Sequence, residues 1–161
     1  VKATVFYESK TGKTKEMAEY IVNGMRAEGV EAKAFSVDAP DEAWAKESRT
    51  VLVGTPVYYA DVSADTKRFL ETLGKYNVAG KLGGAFATAA YSYGGGDIAL
   101  QTIFAHMLVC GMMPYSGGGA YGNPVIHLGP VYSANSENTG EELFTLYGKR
   151  MAKQMKAIFN D

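Results

Sequence analysis

The run Ser9-Lys10-Thr11-Gly12-Lys13-Thr14 packs three hydroxyls, two ammonium groups and a glycine into six positions. It follows a short apolar β-type run, Ala3 to Tyr7. It precedes a helix pattern in which Met17, Ala18, Ile21, Val22 and Met25 repeat at helical spacing. A helix start presents unpaired N–H groups and about half a unit of positive charge. The hydroxyls of Ser9, Thr11 and Thr14 can donate to an anion placed there, and Gly12 lets the backbone turn and come close to it. Lys10 and Lys13 add charge nearby. This pattern suits capture of a phosphate group. The bland alternative is an ordinary capped βα loop.

Two look-alikes are set aside. Gly12-Lys13-Thr14 spells the end of a P-loop, but the glycine that motif needs five residues earlier is Tyr7. Gly117, Gly119 and Gly122 fit a dinucleotide-type spacing, yet Asn123-Pro124 follows where a helix should start, so that match is compositional.

Two further segments have chemical character. Thr55-Pro56-Val57-Tyr58-Tyr59-Ala60-Asp61 follows an apolar strand, Thr50 to Gly54, which Thr55-Pro56 is expected to break. Adjacent tyrosines at a strand end suit stacking on a flat aromatic ligand, worth about 0.5–1.5 kcal/mol beyond burial. They could equally pack on a neighbouring helix or subunit. Thr88-Ala89-Ala90-Tyr91-Ser92-Tyr93-Gly94-Gly95-Gly96-Asp97 ends in glycines that let backbone N–H groups reach the edge of such a ligand.

The elements that must hold these loops are legible as a series. After the first strand and helix come a strand over Val30 to Val37 and a weak helix over Pro40 to Glu47. The Thr50 strand is followed by a helix capped by Ser63. Leu82 to Ala90 reads as a buried central strand. A helix opens at Asp97 and closes at Gly111, and a fifth strand spans Met112 to Tyr115. A Gly- and Tyr-rich stretch, Ser116 to Ala134, leads to a last helix over Glu137 to Phe159. Strand and helix thus alternate five times. That order predicts an α/β fold: a doubly wound five-stranded parallel sheet in a three-layer α/β/α sandwich. Its ligand belongs at the C-terminal strand ends, where the loops after strands one, three and four converge.

Composition bounds the rest. A chain of 161 residues is expected to form a single domain over 1–161. A net charge of -1 argues against nucleic acid or an anionic membrane surface as partner. The single cysteine, Cys110, excludes an internal disulfide and a CxxC motif and fits a reducing, cytoplasmic setting. No apolar run approaches the ~20 residues of a membrane span, and Val1-Lys2-Ala3 lacks a signal-peptide layout. His106 reads as a core or surface residue, His127 as a weak candidate near a ligand, and Cys110 as a small hydrophobe.

As a set, these segments resemble the flavodoxin-like family of FMN-binding proteins. Ser9 to Thr14 looks like that family's phosphate loop. Gly54-Thr55-Pro56-Val57-Tyr58-Tyr59, Ser63-Ala64, Lys67-Arg68-Phe69-Leu70, Gly94-Gly95-Gly96, Tyr121-Gly122 and Glu141-Glu142-Leu143 are most similar to its WrbA-type NAD(P)H:quinone oxidoreductases and related FMN reductases. The resemblance implies a strand order of 2-1-3-4-5 and FMN as cofactor. It implies that Ser9, Lys10, Thr11, Gly12, Lys13 and Thr14 hold the phosphate. Pro56, Val57, Tyr58, Tyr59, Thr88, Ala89, Ala90, Tyr91, Gly94 and Gly95 would hold the ring system. No side chain is required as an acid or base. The implied reaction passes electrons from NAD(P)H through FMN to a quinone, in a protein that could form a homo-oligomer. The alternative is a one-electron carrier serving a redox protein partner.

Overall fold

A computed structural model describes residues 1–160. The strands are β1 (Lys2–Tyr7), β2 (Glu31–Ser36), β3 (Thr50–Tyr58), β4 (Asp61–Val62), β5 (Leu82–Ala89), β6 (Met113–Pro114) and β7 (Val131–Ser133). The α-helices are α1 (Lys13–Ala27), α2 (Glu42–Glu47), α3 (Ala64–Leu70), α4 (Gly96–Val109) and α5 (Glu141–Phe159). The main sheet runs β2-β1-β3-β5-β6, all parallel. Set aside the two-residue antiparallel β4, and this is the doubly wound order expected.

Alternate residues of the central strands face opposite layers. Val5, Leu52 and Phe86 pack with Met17, Ile21, Phe144, Tyr147 and Met151 of α1 and α5. Phe6, Val53 and Ala85 pack with Phe69, Tyr76, Leu100, Ile103 and Met107 on the other side. Burying strands on both faces explains their near-continuous apolar runs. Helices α1 and α5 meet at backbone contact. A Cβ at Gly24 would sit 2.0 Å from the Thr145 carbonyl oxygen, and one at Gly148 2.2 Å from that of Ile21.

Three details differ from the sequence reading. Strand β3 does not break at Thr55-Pro56 but runs on to Tyr58. Pro56 stays in register opposite Thr88 of β5. The Glu8 N–H donates to the Gly54 carbonyl, so Gly54, and Pro56 two residues on, face the β1 side. Pairing with β1 ends at Tyr7↔Gly54, so the N–H that proline lacks would have met no strand partner.

The fifth strand position is filled in two pieces. β6 covers the start of β5, with Gly83↔Pro114, and β7 covers its end, with Ala87↔Val131. A straight strand would bridge that gap with three residues, whereas the chain inserts sixteen, Tyr115 to Pro130. The last helix starts at Glu141, after Gly140, rather than at Glu137.

Candidate functional site

The first loop forms a cup of amides at the start of α1. Gly12 occupies the N-cap position with φ +97, a left-handed conformation that penalises any Cβ, and the space where a Cβ would point is open. The Ser9 hydroxyl turns inward and accepts from the N–H groups of Gly12 (3.1 Å) and Lys15 (3.4 Å). Ser9 therefore shapes the loop. The N–H groups of Lys10, Thr11, Lys13 and Thr14 have no acceptor among the described residues. The Thr14 hydroxyl lies 2.9 Å from that of Thr88, both residues buried, which ties this loop to the end of β5. Thr11 is exposed at the rim.

Both lysines of the loop are committed to carboxylates. Lys10 reaches Asp65 at 2.6 Å and the buried Glu8 at 3.2 Å. These partners, Asp65 foremost, raise its pKa above the ordinary lysine value, and Lys10 in turn holds Asp65 below the usual carboxylate range. Lys13 pairs with Glu16 at 3.2 Å, which raises its pKa, and its ammonium sits 5.5 Å from the Tyr132 ring centroid. The cup is thus furnished by neutral N–H and O–H dipoles, with its cations already paired beside it.

The second loop is a tight hairpin. Tyr58 pairs antiparallel with Asp61, and the two residues between them have φ +48 (Tyr59) and +63 (Ala60). Positive φ at both central positions is the type I′ arrangement, which favours Asn-Gly and here carries a tyrosine and an alanine. Tyr59 projects wholly into solvent at the tip, and Tyr58 is half-exposed at its base. Below, a buried chain of hydroxyls anchors the hairpin. Thr55 Oγ1 and Thr66 Oγ1 lie 2.9 Å apart, and Ser63 Oγ donates to Glu8 Oε2 at 3.2 Å while capping α3.

The third loop meets the second directly. A Cβ on Gly95 (φ +102) would lie 2.3 Å from the Ala60 α-carbon, so only glycine lets the α4 start seat against the hairpin tip. Gly94 closes a turn on the Tyr91 carbonyl. Tyr91 and Tyr93 stack on each other at 5.6 Å between centroids, both exposed.

One open cavity of about 290 Å³ gathers parts of all three loops: Thr11 and Lys13, then Pro56, Val57 and Tyr58, then Thr88, Ala89 and Ala90. Ser9, Gly12 and Thr14 stand behind it as loop structure, Gly95 lies at the hairpin contact, and Gly94 lies against Tyr91 of its own loop. Lys10 and Tyr59 line a neighbouring cavity of about 620 Å³ on the other side of Tyr58. Two lining residues, Tyr132 and Ala134, were missed from sequence. They belong to and follow β7, whose signal was the short β-type run Val131-Tyr132-Ser133 bounded by Gly129-Pro130. His127 lines a cavity with Asp97 and Val131 and is not among the residues of the three-loop cavity. The described residues contain no group of His, Cys, Asp and Glu placed to hold a metal.

Comparison with known proteins gives a consistent picture. Residues 4–89 match the defining pattern of the flavodoxin domain. The chain is 41% identical to a flavodoxin from Clostridium saccharobutylicum, over 99% of this chain and 100% of that one. It is 29% identical to an NAD(P)H dehydrogenase (quinone) from Cupriavidus metallidurans, over 87% of this chain and 84% of that one. Among solved structures, a flavodoxin from the domain Archaea superposes with TM-score 0.79 at 26% identity, covering 97% of this chain and 99% of that one.

Proposed function

Because the chain belongs to the flavodoxin domain family, whose proteins bind FMN, we propose that it is an FMN-dependent electron carrier with its cofactor in the three-loop cavity. The observation that carries this reading is the cup of unpaired amides at Lys10, Thr11, Lys13 and Thr14, set beside a cavity that all three loops line. The residues fit the cofactor. Four free N–H groups and the exposed Thr11 hydroxyl suit a phosphate held by dipoles. Pro56, Val57, Tyr58 and the Thr88–Ala90 backbone offer an apolar wall with polar edges to a flat ring. In this assignment Ser9, Gly12 and Thr14 set the loop's shape, and Gly95 sets the spacing between loops.

FMN would supply reversible electron transfer, and the protein supplies binding, orientation and electrostatics. With both cup lysines already paired, the loop would hold the phosphate without spending an external counter-charge. The ring would lie between the Tyr58 side and the β5 end, near solvent, where a partner can approach.

A second reading, NAD(P)H-driven reduction of a quinone, draws on the quinone-reducing relative and on the net charge of -1, since a carrier that docks by charge gains from a larger excess. Two measurements decide. Purified protein that binds no FMN by fluorescence quenching overturns both readings. With FMN bound, oxidation of NADPH on addition of quinone establishes the reductase. Two resolved one-electron waves in a redox titration without NADPH turnover establish the carrier.

A further inference from the structure

At the middle of α5 a buried cation lacks a counter-ion among the described residues. Arg150 is 8% exposed, and its two terminal nitrogens donate to carbonyls of the Tyr115–Pro130 insertion. Nη1 reaches Pro124 at 3.0 Å and Gly118 at 3.5 Å, and Nη2 reaches Tyr121 and Gly122 at 3.3 Å each. These bonds explain how the insertion is fastened. They do not neutralise the charge, because no ion pair among the described residues includes Arg150. The third donor nitrogen, Nε–H, has no acceptor among the described residues. A buried guanidinium is ordinarily paired with an anion.

Beside it opens a cavity of about 240 Å³, lined by Tyr115, Tyr121, Arg150, Lys153, Gln154 and Ala157. Among the described residues its polar lining consists of a guanidinium, an ammonium, an amide and two phenols, with no carboxylate. Lys153 comes near Glu28 only at 3.9 Å and keeps most of its side chain exposed. Burial, with the neighbouring Tyr121 hydroxyl adding to it, pushes the Tyr115 hydroxyl up to about 12, so it remains a donor through the physiological range. The cavity is smaller than the ~300–1,000 Å³ usual for sites that enclose drug-sized ligands. It shares no residue with the three-loop cavity.

We propose that this cavity between α5 and the insertion binds a small oxyanion, a phosphate or a carboxylate, with Arg150 and Lys153 supplying charge and Tyr115 and Tyr121 supplying hydroxyl donors. Oxyanions match a lining with two cations and several N–H and O–H donors, and charge-assisted hydrogen bonds are the strong ones. The insertion contributes both phenols, and Arg150 holds it in place. Occupancy would therefore tighten the insertion against α5.

The test is a titration of isotopically labelled protein saturated with FMN, so that the cofactor's own phosphate does not compete for the added anion. Inorganic phosphate and, separately, malonate are added at constant ionic strength. The readout is the Arg150 Nε–H resonance and the rings of Tyr115 and Tyr121. The expected result is a saturable shift with a midpoint at or below about 1 mM for at least one anion. Lys153→Ala, at an exposed position that leaves the insertion's fastening intact, should raise that midpoint about tenfold. Tyr115→Phe should raise it several-fold. Saturation by phosphate alone assigns the site to phosphates, and by malonate alone to carboxylates. Shifts that grow linearly with both anions, or midpoints unchanged in Lys153→Ala, overturn the proposal. The readout sits at Arg150, and the same titration on protein without FMN gives the same readout, so its failure is distinguishable from failure of the flavin assignment.

Discussion

The hydroxyls of Thr14 and Thr88 lie 2.9 Å apart in the interior, joining the first turn of α1 to the end of β5. This single contact links the loop assigned to the phosphate with the strand end assigned to the ring. Removing one hydroxyl leaves the other buried without its partner. We expect Thr14→Val and Thr88→Val each to lower stability by about 1–3 kcal/mol. Their double variant should cost clearly less than the sum, because no unpaired hydroxyl remains. Urea denaturation of all four proteins measures the cycle, and strict additivity would mean that the contact carries no energy.

Thr11 offers the converse case. It is exposed and makes no side-chain hydrogen bond to any described residue. Thr11→Ala should leave thermal stability within about 0.5 kcal/mol. FMN affinity should fall about 10- to 100-fold, as expected for one hydrogen bond to a charged phosphate. Flavin fluorescence quenching reports the affinity, and an unchanged dissociation constant would remove Thr11 from the site.

The hairpin tip and the α4 start constrain each other. Ala60 holds φ +63, so Ala60→Gly should relieve backbone strain and stabilise the protein by about 0.5–1 kcal/mol. Gly95→Ala puts a Cβ 2.3 Å from Ala60 at a φ of +102 and should destabilise by more than about 2 kcal/mol. Chemical denaturation midpoints should move in opposite directions. A neutral Gly95→Ala would show that the two loops are not in contact.

The Lys10–Asp65 pair gives a pH signature. Asp65 has a depressed carboxyl pKa, first through its hydrogen bond to Lys10. A group depressed in the folded state contributes stability above its unfolded pKa and loses that contribution as pH falls through the folded one. The contribution should therefore be present at neutral pH and fade below about pH 4. Since the pair is solvent-exposed, the effect on stability should be small. Following the Asp65 carboxyl resonance against pH, we expect Lys10→Met to raise its midpoint toward the ordinary aspartate value. An unmoved midpoint would assign the shift to Arg68 instead.

Pattern was enough to place β1, β3 and β5, because strands buried on both faces announce themselves as unbroken apolar runs, while β2 showed as alternation with one wetter face and only the first piece of the fifth strand was read. The three loops were legible for the same reason: hydroxyls, tyrosines and glycines crowd at strand ends. Pro56 misled, since the local rule reads proline as a break. Its tolerance depends on where β1 stops, which is a non-local fact. Tyr132 was hidden because a three-residue strand in a glycine-rich tract has no room for a period. The partner of Lys13, three residues along its helix, was readable in principle. That of Lys10 was not, because Asp65 lies fifty-five residues away and meets it only in the folded chain. Arg150 gave no signal of burial: its four carbonyl acceptors come from a segment whose path no pattern encodes.

The divided fifth strand has a consequence for how this protein could be remodelled. Both ends of the Tyr115–Pro130 excursion are stitched to the same neighbour, β5, at Gly83 and Ala87. That strand keeps its register whatever passes between the stitches. A three-residue splice would convert the edge into one continuous ribbon, and a longer graft would hang from the same two points. Any replacement must still supply the buried Ile126 side chain and the carbonyls that receive Arg150, so the excursion is held from within as well as at its two ends.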